Sequence, residues 1–130
     1  MAPPFAIGHV GTYPPTRCGI ATFTRSVSRS MARALPGGSV EVVALVDDPD
    51  EAAHPPEVAC RLVAGSPGTL ARAARMLNRL DLAVLQHEYG IYGGTDGDEV
   101  LELVRALDIP VIAVLHTVPD APSDVQRLVL

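Results

Sequence analysis

Three short stretches gather the side chains that could do chemistry. Gly11 to Thr24, GTYPPTRCGIATFT, reads as the exit of a strand, a turn and the opening of a helix. Pro14 and Pro15 cannot continue a strand ladder. Gly19 lets a ligand approach where a helix start leaves N–H groups unpaired and partly positive. A phosphate or carboxylate suits that position, although a Pro/Gly turn that only reverses the chain would use the same residues. His87-Glu88-Tyr89-Gly90 follows the apolar run that ends at Gln86, and His116-Thr117 follows the run that ends at Leu115. A histidine placed at such a point can bind or exchange a proton near neutral pH, yet each one alone fits a hydrogen-bonded structural role equally well. His9, inside the first apolar run, and His54, in an acidic loop, are read as structural.

The elements that must position these residues follow from the hydrophobic pattern. Phe5 to Val10 is a short apolar run bounded by prolines and Gly11, as a buried first strand would be. Ile20, Phe23, Val27 and Met31 then recur at helical spacing, with Arg25 and Arg29 on other faces, until Pro36-Gly37-Gly38 ends the helix. Val40 to Val46, VEVVALV, is β-branched and almost continuously apolar, the pattern of a strand covered on both faces. Asp47 to Pro56 is an acidic, proline-rich loop, and Val58 to Val63 is a weaker strand.

Ser66-Pro67 supplies an N-cap and a first-turn proline for a helix whose inward face is Leu70, Ala73, Ala74, Leu77 and Leu80, ending at Asp81. Leu82 to Gln86 is the next strand and Gly90 to Thr95 a glycine-rich loop. Asp96 to Glu99 forms a capping box for a helix with Val100, Leu103, Val104 and Leu107 inward. A strand from Ile109-Pro110 to Leu115 follows. A last helix begins at Pro122-Ser123, with Ser123 and Gln126 spaced as a second capping box. The alternation β-α-β-β-α-β-α-β-α predicts an α/β, doubly wound, mostly parallel Rossmann-like sheet with helices on both faces, formed by one domain over residues 1–130. In such sheets ligands sit outside the carboxyl ends of the strands, so the three polar stretches converge on one edge.

Composition and failed motifs narrow the chemistry. The chain has 130 residues, 48% hydrophobic but only 4% aromatic, which suits helices on a Val/Leu-rich sheet. Lys+Arg 10 against Asp+Glu 15 and no basic run argue against nucleic acid as a partner. Cys18 and Cys60 lack CxxC spacing and read as reduced thiols of a cytoplasmic protein. Neither a leader pattern nor a membrane-spanning run is evident. Arg17, Arg25, Arg29 and Arg33 allow peripheral contact with the inner membrane face at most.

His87-Glu88 lacks the second His of HExxH, so no zinc site is expected. Asp96-Gly97-Asp98 is explained by an acidic first turn better than by a metal pair. Neither GxGxxG nor a P-loop ending is present, and Ser39 and Ser66 lack the GxSxG setting of a hydrolase nucleophile.

Taken together, TYPPTRCGIATFT (Thr12 to Thr24), LAVLQHEYGIYGGTDGDEV (Leu82 to Val100), PVIAVLHTV (Pro110 to Val118) and PSDVQRLVL (Pro122 to Leu130) make the chain resemble the N-terminal domain of a GT-B-fold retaining glycosyltransferase of family four, in a bacterial subgroup. The first two stretches are the more specific carriers, since many folds share the alternating frame.

The resemblance implies a hexosyltransferase-like enzyme built from two Rossmann-like domains, with this acceptor-side domain incomplete at its C-terminus and the donor-binding domain absent. It implies a nucleotide-sugar donor, a glycosyl acceptor, no cofactor and metal-independent transfer. Gly19 and Cys18 would lie against the donor diphosphate, Cys18 standing where many relatives have a first glycine. His116 would face the transferred sugar as the catalytic-site histidine, and His87, Glu88 and Thr117 would border the substrate pocket. The fragment alone would be inactive. A stand-alone flavodoxin-like ligand-binding or regulatory module without catalysis is the alternative that the residues leave open.

Overall fold

A computed structural model describes residues 4–50 and 53–130. The reading of the first residues and of the middle of the Asp47–Pro56 loop falls partly outside the described residues.

Five strands form one all-parallel sheet: β1 Ala6–Gly11, β2 Ser39–Val46, β3 Val58–Val63, β4 Leu82–His87 and β5 Val111–Leu115. Their order is β3-β2-β1-β4-β5. Val10 of β1 is level with Val43 on one side and Leu85 on the other, so the central strand is flanked by two others rich in β-branched and leucine side chains. From β1 the chain leaves to one side of the sheet, and it later returns through β4 on the other. The crevice between these departures is where a doubly wound sheet receives ligands.

Among the described residues, four α-helices complete the frame: α1 Gly19–Ala34, α2 Pro67–Leu77, α3 Glu99–Arg105 and α4 Asp124–Val129. The larger core cluster joins Val10, Val43, Leu45, Leu62 and Leu85 of the sheet to Leu70, Ala73 and Leu77 of α2 and to Val100 and Leu103 of α3. A smaller cluster of Tyr13, Val42 and Ala44 lies on the opposite face, where α1 packs on β1 and β2. The helices therefore cover both faces, as the alternation predicts. Tyr13, fully buried, donates its hydroxyl to Glu57 Oε1 at 2.7 Å, and Arg29 adds a looser ion pair with the same oxygen at 3.6 Å.

Local signals explain where the helices begin and end. Ser66 Oγ accepts the Thr69 N–H at 3.4 Å with Pro67 in the first turn, as its sequence indicates. This helix stops at Leu77, before Leu80 and Asp81, with Asn78 as its C-cap. Its amide donates to the Ala106 carbonyl at 2.9 Å and accepts the Asp108 N–H at 2.8 Å. Asp81 instead accepts the Ala6 N–H at 2.7 Å and ties the start of β4 to the start of β1. The Ser123–Gln126 capping box of α4 is formed reciprocally, with bonds of 3.1 and 2.8 Å.

Three expectations are corrected. The capping box at Asp96–Glu99 is not formed. Asp98 makes no side-chain cap bond to α3, and the Glu99 carboxylate reaches away to the Gly93 N–H at 2.9 Å and the Gly65 N–H at 3.2 Å. Thr95–Gly97 is a short 3-10 turn with Asp96 at φ 50°, a conformation that a capping residue does not take. Val104 is outward, 38% exposed, while Val100 and Leu103 carry the inward face of α3.

The third correction concerns α1. Its buried residues are Ala21, Thr24 and Ser28, whereas Phe23 of the apolar stripe is 43% exposed. The sheet beneath this helix carries His9 and Gln86, both fully buried; His9 takes Ser28 Oγ of α1 as a partner, while Thr24 turns its hydroxyl to the Ile20 carbonyl at 2.8 Å.

Candidate functional site at the carboxyl edge of the sheet

The turn after β1 and the N-terminus of α1 form one wall of the site. The Thr16 N–H bonds to the Tyr13 carbonyl at 3.0 Å and closes the Pro14-Pro15 turn. Cys18 is the N-cap of α1: its Sγ accepts the Ala21 N–H at 3.3 Å and lies 3.2 Å from Thr12 Oγ1. The Thr22 N–H goes to the Cys18 carbonyl. That leaves the N–H groups of Gly19 and Ile20 at the helix start for a ligand, in a first turn with no acidic side chain.

Two clefts flank this wall, and Cys18 and Ile91 line both. One, of about 640 Å³, is bounded by Gly19, Ile20, Phe23, Glu88, Val114 and His116. The other, of about 480 Å³, is bounded by Thr12, Thr16, Asp47, Asp48 and Gly90. Gly19, Cys18, Glu88 and His116, which come from three separate stretches of sequence, thus share one cleft. The structure shows why the stretches meet: they follow β1, β4 and β5, whose carboxyl ends lie side by side.

Of the other residues named from the sequence, His87 and Thr117 lie outside both clefts. His87 is only 3% exposed and its ring is packed between two tyrosines, edge-on to Tyr89 at 5.0 Å and stacked on Tyr92 at 6.0 Å. Its ring nitrogens make no hydrogen bond among the described residues, and burial lowers its pKa, which favours the neutral imidazole. Thr117 is exposed just beyond β5, outside the lining of either cleft. Glu88 is half-buried, with Oε2 accepting the Gly90 N–H at 2.8 Å, so its carboxylate is fixed by the turn it begins.

His116 is held by Gln86, whose Oε1 is 2.7 Å from His116 Nε2, and by the Phe23 ring, edge-on at 5.1 Å. Behind Gln86 stands His9. Its Nε2 is 2.8 Å from Gln86 Nε2 and its Nδ1 is 2.6 Å from Ser28 Oγ. Full burial lowers the His9 pKa from 6.5 to about 4. Sequence reasoning missed Gln86, Ser28 and Phe23 and set His9 apart from the site. The available signal was a polar residue in each of two buried strands, since each requires a partner on the element packed above it.

Among the described residues, no group of three or more His, Cys, Asp or Glu side chains is placed to hold a metal ion, and both cysteines are free thiols. No described helix is long and apolar enough to cross a membrane. No family model, curated protein or solved structure matches this chain.

Proposed function

We propose that this chain is the acceptor-side domain of a retaining glycosyltransferase that moves a sugar from a nucleotide-activated donor, the nucleotide being held mainly by a second domain. The observation that carries the reading is the common cleft of Gly19, Glu88 and His116 at the switch point of a parallel sheet. A helix start with two N–H groups beside an imidazole suits an activated sugar: the N–H groups face its diphosphate, and the imidazole meets a sugar hydroxyl. The four stretches that resemble family-four glycosyltransferases support the same assignment.

In this reading the domain contributes orientation and electrostatic stabilisation of the leaving diphosphate, and it supplies no covalent nucleophile. The α1 N-terminus offsets negative charge that builds up on the leaving group. His116 orients the sugar against it. The test is His116→Ala in the intact enzyme, assayed for transfer alongside thermal melting. A fall in kcat at unchanged melting temperature supports the assignment; activity lost only in step with stability shows His116 to be structural.

A further inference from the structure

A continuous chain of side-chain hydrogen bonds runs beneath the cleft, from α1 through the sheet to His116. Its members are Ser28 on α1, His9 on β1, Gln86 on β4 and His116 just beyond β5, with successive separations of 2.6, 2.8 and 2.7 Å. His9 and Gln86 are fully buried and Ser28 nearly so. A buried amide between two imidazoles is costly unless each group is matched, and here each one is.

The donor and acceptor chemistry gives this chain a direction. The Gln86 amide nitrogen can only donate, so His9 Nε2 accepts, and the proton of the neutral His9 ring sits on Nδ1 and is donated to Ser28 Oγ. Gln86 Oε1 can only accept, so His116 Nε2 carries a hydrogen. The neutral His116 ring therefore has Nδ1 as its acceptor. Protonating His9 would set an N–H against the Gln86 amide and break the chain, and the lowered His9 pKa of about 4 prevents this near neutral pH.

We propose that Gln86, anchored by His9 and Ser28, is a positioning residue that holds His116 as its Nε2–H tautomer, so that Nδ1 is the ring nitrogen offered to a sugar hydroxyl. The role of that nitrogen toward a sugar rests on the function proposed above, whereas the tautomer itself does not. Phe23 completes the constraint by closing on the ring edge-on. The polar and titratable groups nearest His116 are Gln86, Glu88 across the cleft and His87 on the adjacent strand, whose carbonyl accepts the His116 N–H at 2.9 Å.

Nitrogen-15 NMR of the histidine rings, recorded through their carbon-bound protons on this chain near neutral pH, tests the proposal. The expected wild-type result is a protonated Nε2 and an unprotonated Nδ1 on His116, and the reverse arrangement on His9. Gln86→Leu should turn His116 into a mixture of both tautomers. Gln86→Glu places a carboxylate between the two rings, so it should keep the hydrogen on His116 Nε2 and raise the pKa of His9. A wild-type His116 protonated on Nδ1, or a tautomer unchanged in folded Gln86→Leu, overturns the proposal.

In the intact enzyme, Gln86→Leu should lower kcat about tenfold with little change in KM, the scale of one lost hydrogen bond. The tautomer preference found without any sugar transfer would count against the functional reading and uphold the positioning role.

Discussion

The Gln86 side chain crosses directly over Gly11: a Cβ on that glycine would lie 3.2 Å from both Cβ and Cγ of Gln86, and 2.7 Å from Thr24 Oγ1. The approach to Thr24 Oγ1 is closer than a real Cβ tolerates and the two to Gln86 are tight enough that it must give by a few tenths of an ångström, and these groups belong to or adjoin the buried hydrogen-bonded chain. Gly11→Ala should therefore destabilise the protein by about 1–3 kcal/mol through overpacking, despite the better strand propensity of alanine. Denaturant unfolding measures this. An unchanged midpoint would mean that Gln86 moves aside freely and is not held as described.

Gly19 offers the opposite case, because a Cβ there would meet nothing within 4 Å and would point into open space at the cleft. Gly19→Val should leave the melting temperature within a few degrees of wild type. On the glycosyltransferase reading proposed above, it should also raise the donor KM about tenfold or more, equivalent to roughly 1.4 kcal/mol of binding. Donor kinetics unchanged in a folded variant would remove the diphosphate from this helix start.

These two glycines show how much was legible in the sequence. All five strands and four helices were readable, because Val/Leu runs, prolines and the Ser66 and Ser123 caps each act within a few residues of chain. The convergence of Gly19, Glu88 and His116 followed from strand polarity alone. The partners of His116 could not be read in the same way: Ser28, His9 and Gln86 are far apart in sequence, and only the sheet order brings them within hydrogen-bonding distance. For the same reason the stripe of Ile20, Phe23, Val27 and Met31 misstated the buried side of α1. Hydrophobic periodicity assumes an apolar surface beneath the helix, and this sheet presents an imidazole and an amide.

The buried imidazole also makes stability depend on pH. In the native state His9 stays neutral down to about pH 4, whereas the unfolded chain takes up that proton near 6.5. Between those values the unfolded state binds more protons, so stability rises with pH: it is fully present above about 6.5 and is lost progressively as pH falls toward 4. The difference corresponds to roughly 3 kcal/mol at about 1.4 kcal/mol per pH unit. Burial of His87 acts with the same sign. Glu57, its pKa lowered chiefly by the Tyr13 hydroxyl, adds a further loss at more acid pH. Unfolding midpoints from about pH 7 to pH 4, together with NMR titration of His9, check this. Flat midpoints, or a His9 that titrates near 6.5, would contradict a buried neutral ring.

On the function proposed above, this domain supplies one wall of a glycosyl-transfer site. A single wall cannot orient both reactants or exclude water from them, so that proposal requires an opposing domain. A transfer assay with a panel of nucleotide-sugars, run on residues 1–130 and on a longer protein joining them to the proposed second domain, with NMR of the product to read its anomeric configuration, tests this. The expected result is no transfer by residues 1–130 and transfer with retained configuration by the two-domain protein. Robust transfer by residues 1–130 alone, inversion of the anomeric centre, or no transfer from any nucleotide-sugar by the two-domain protein would contradict the proposal.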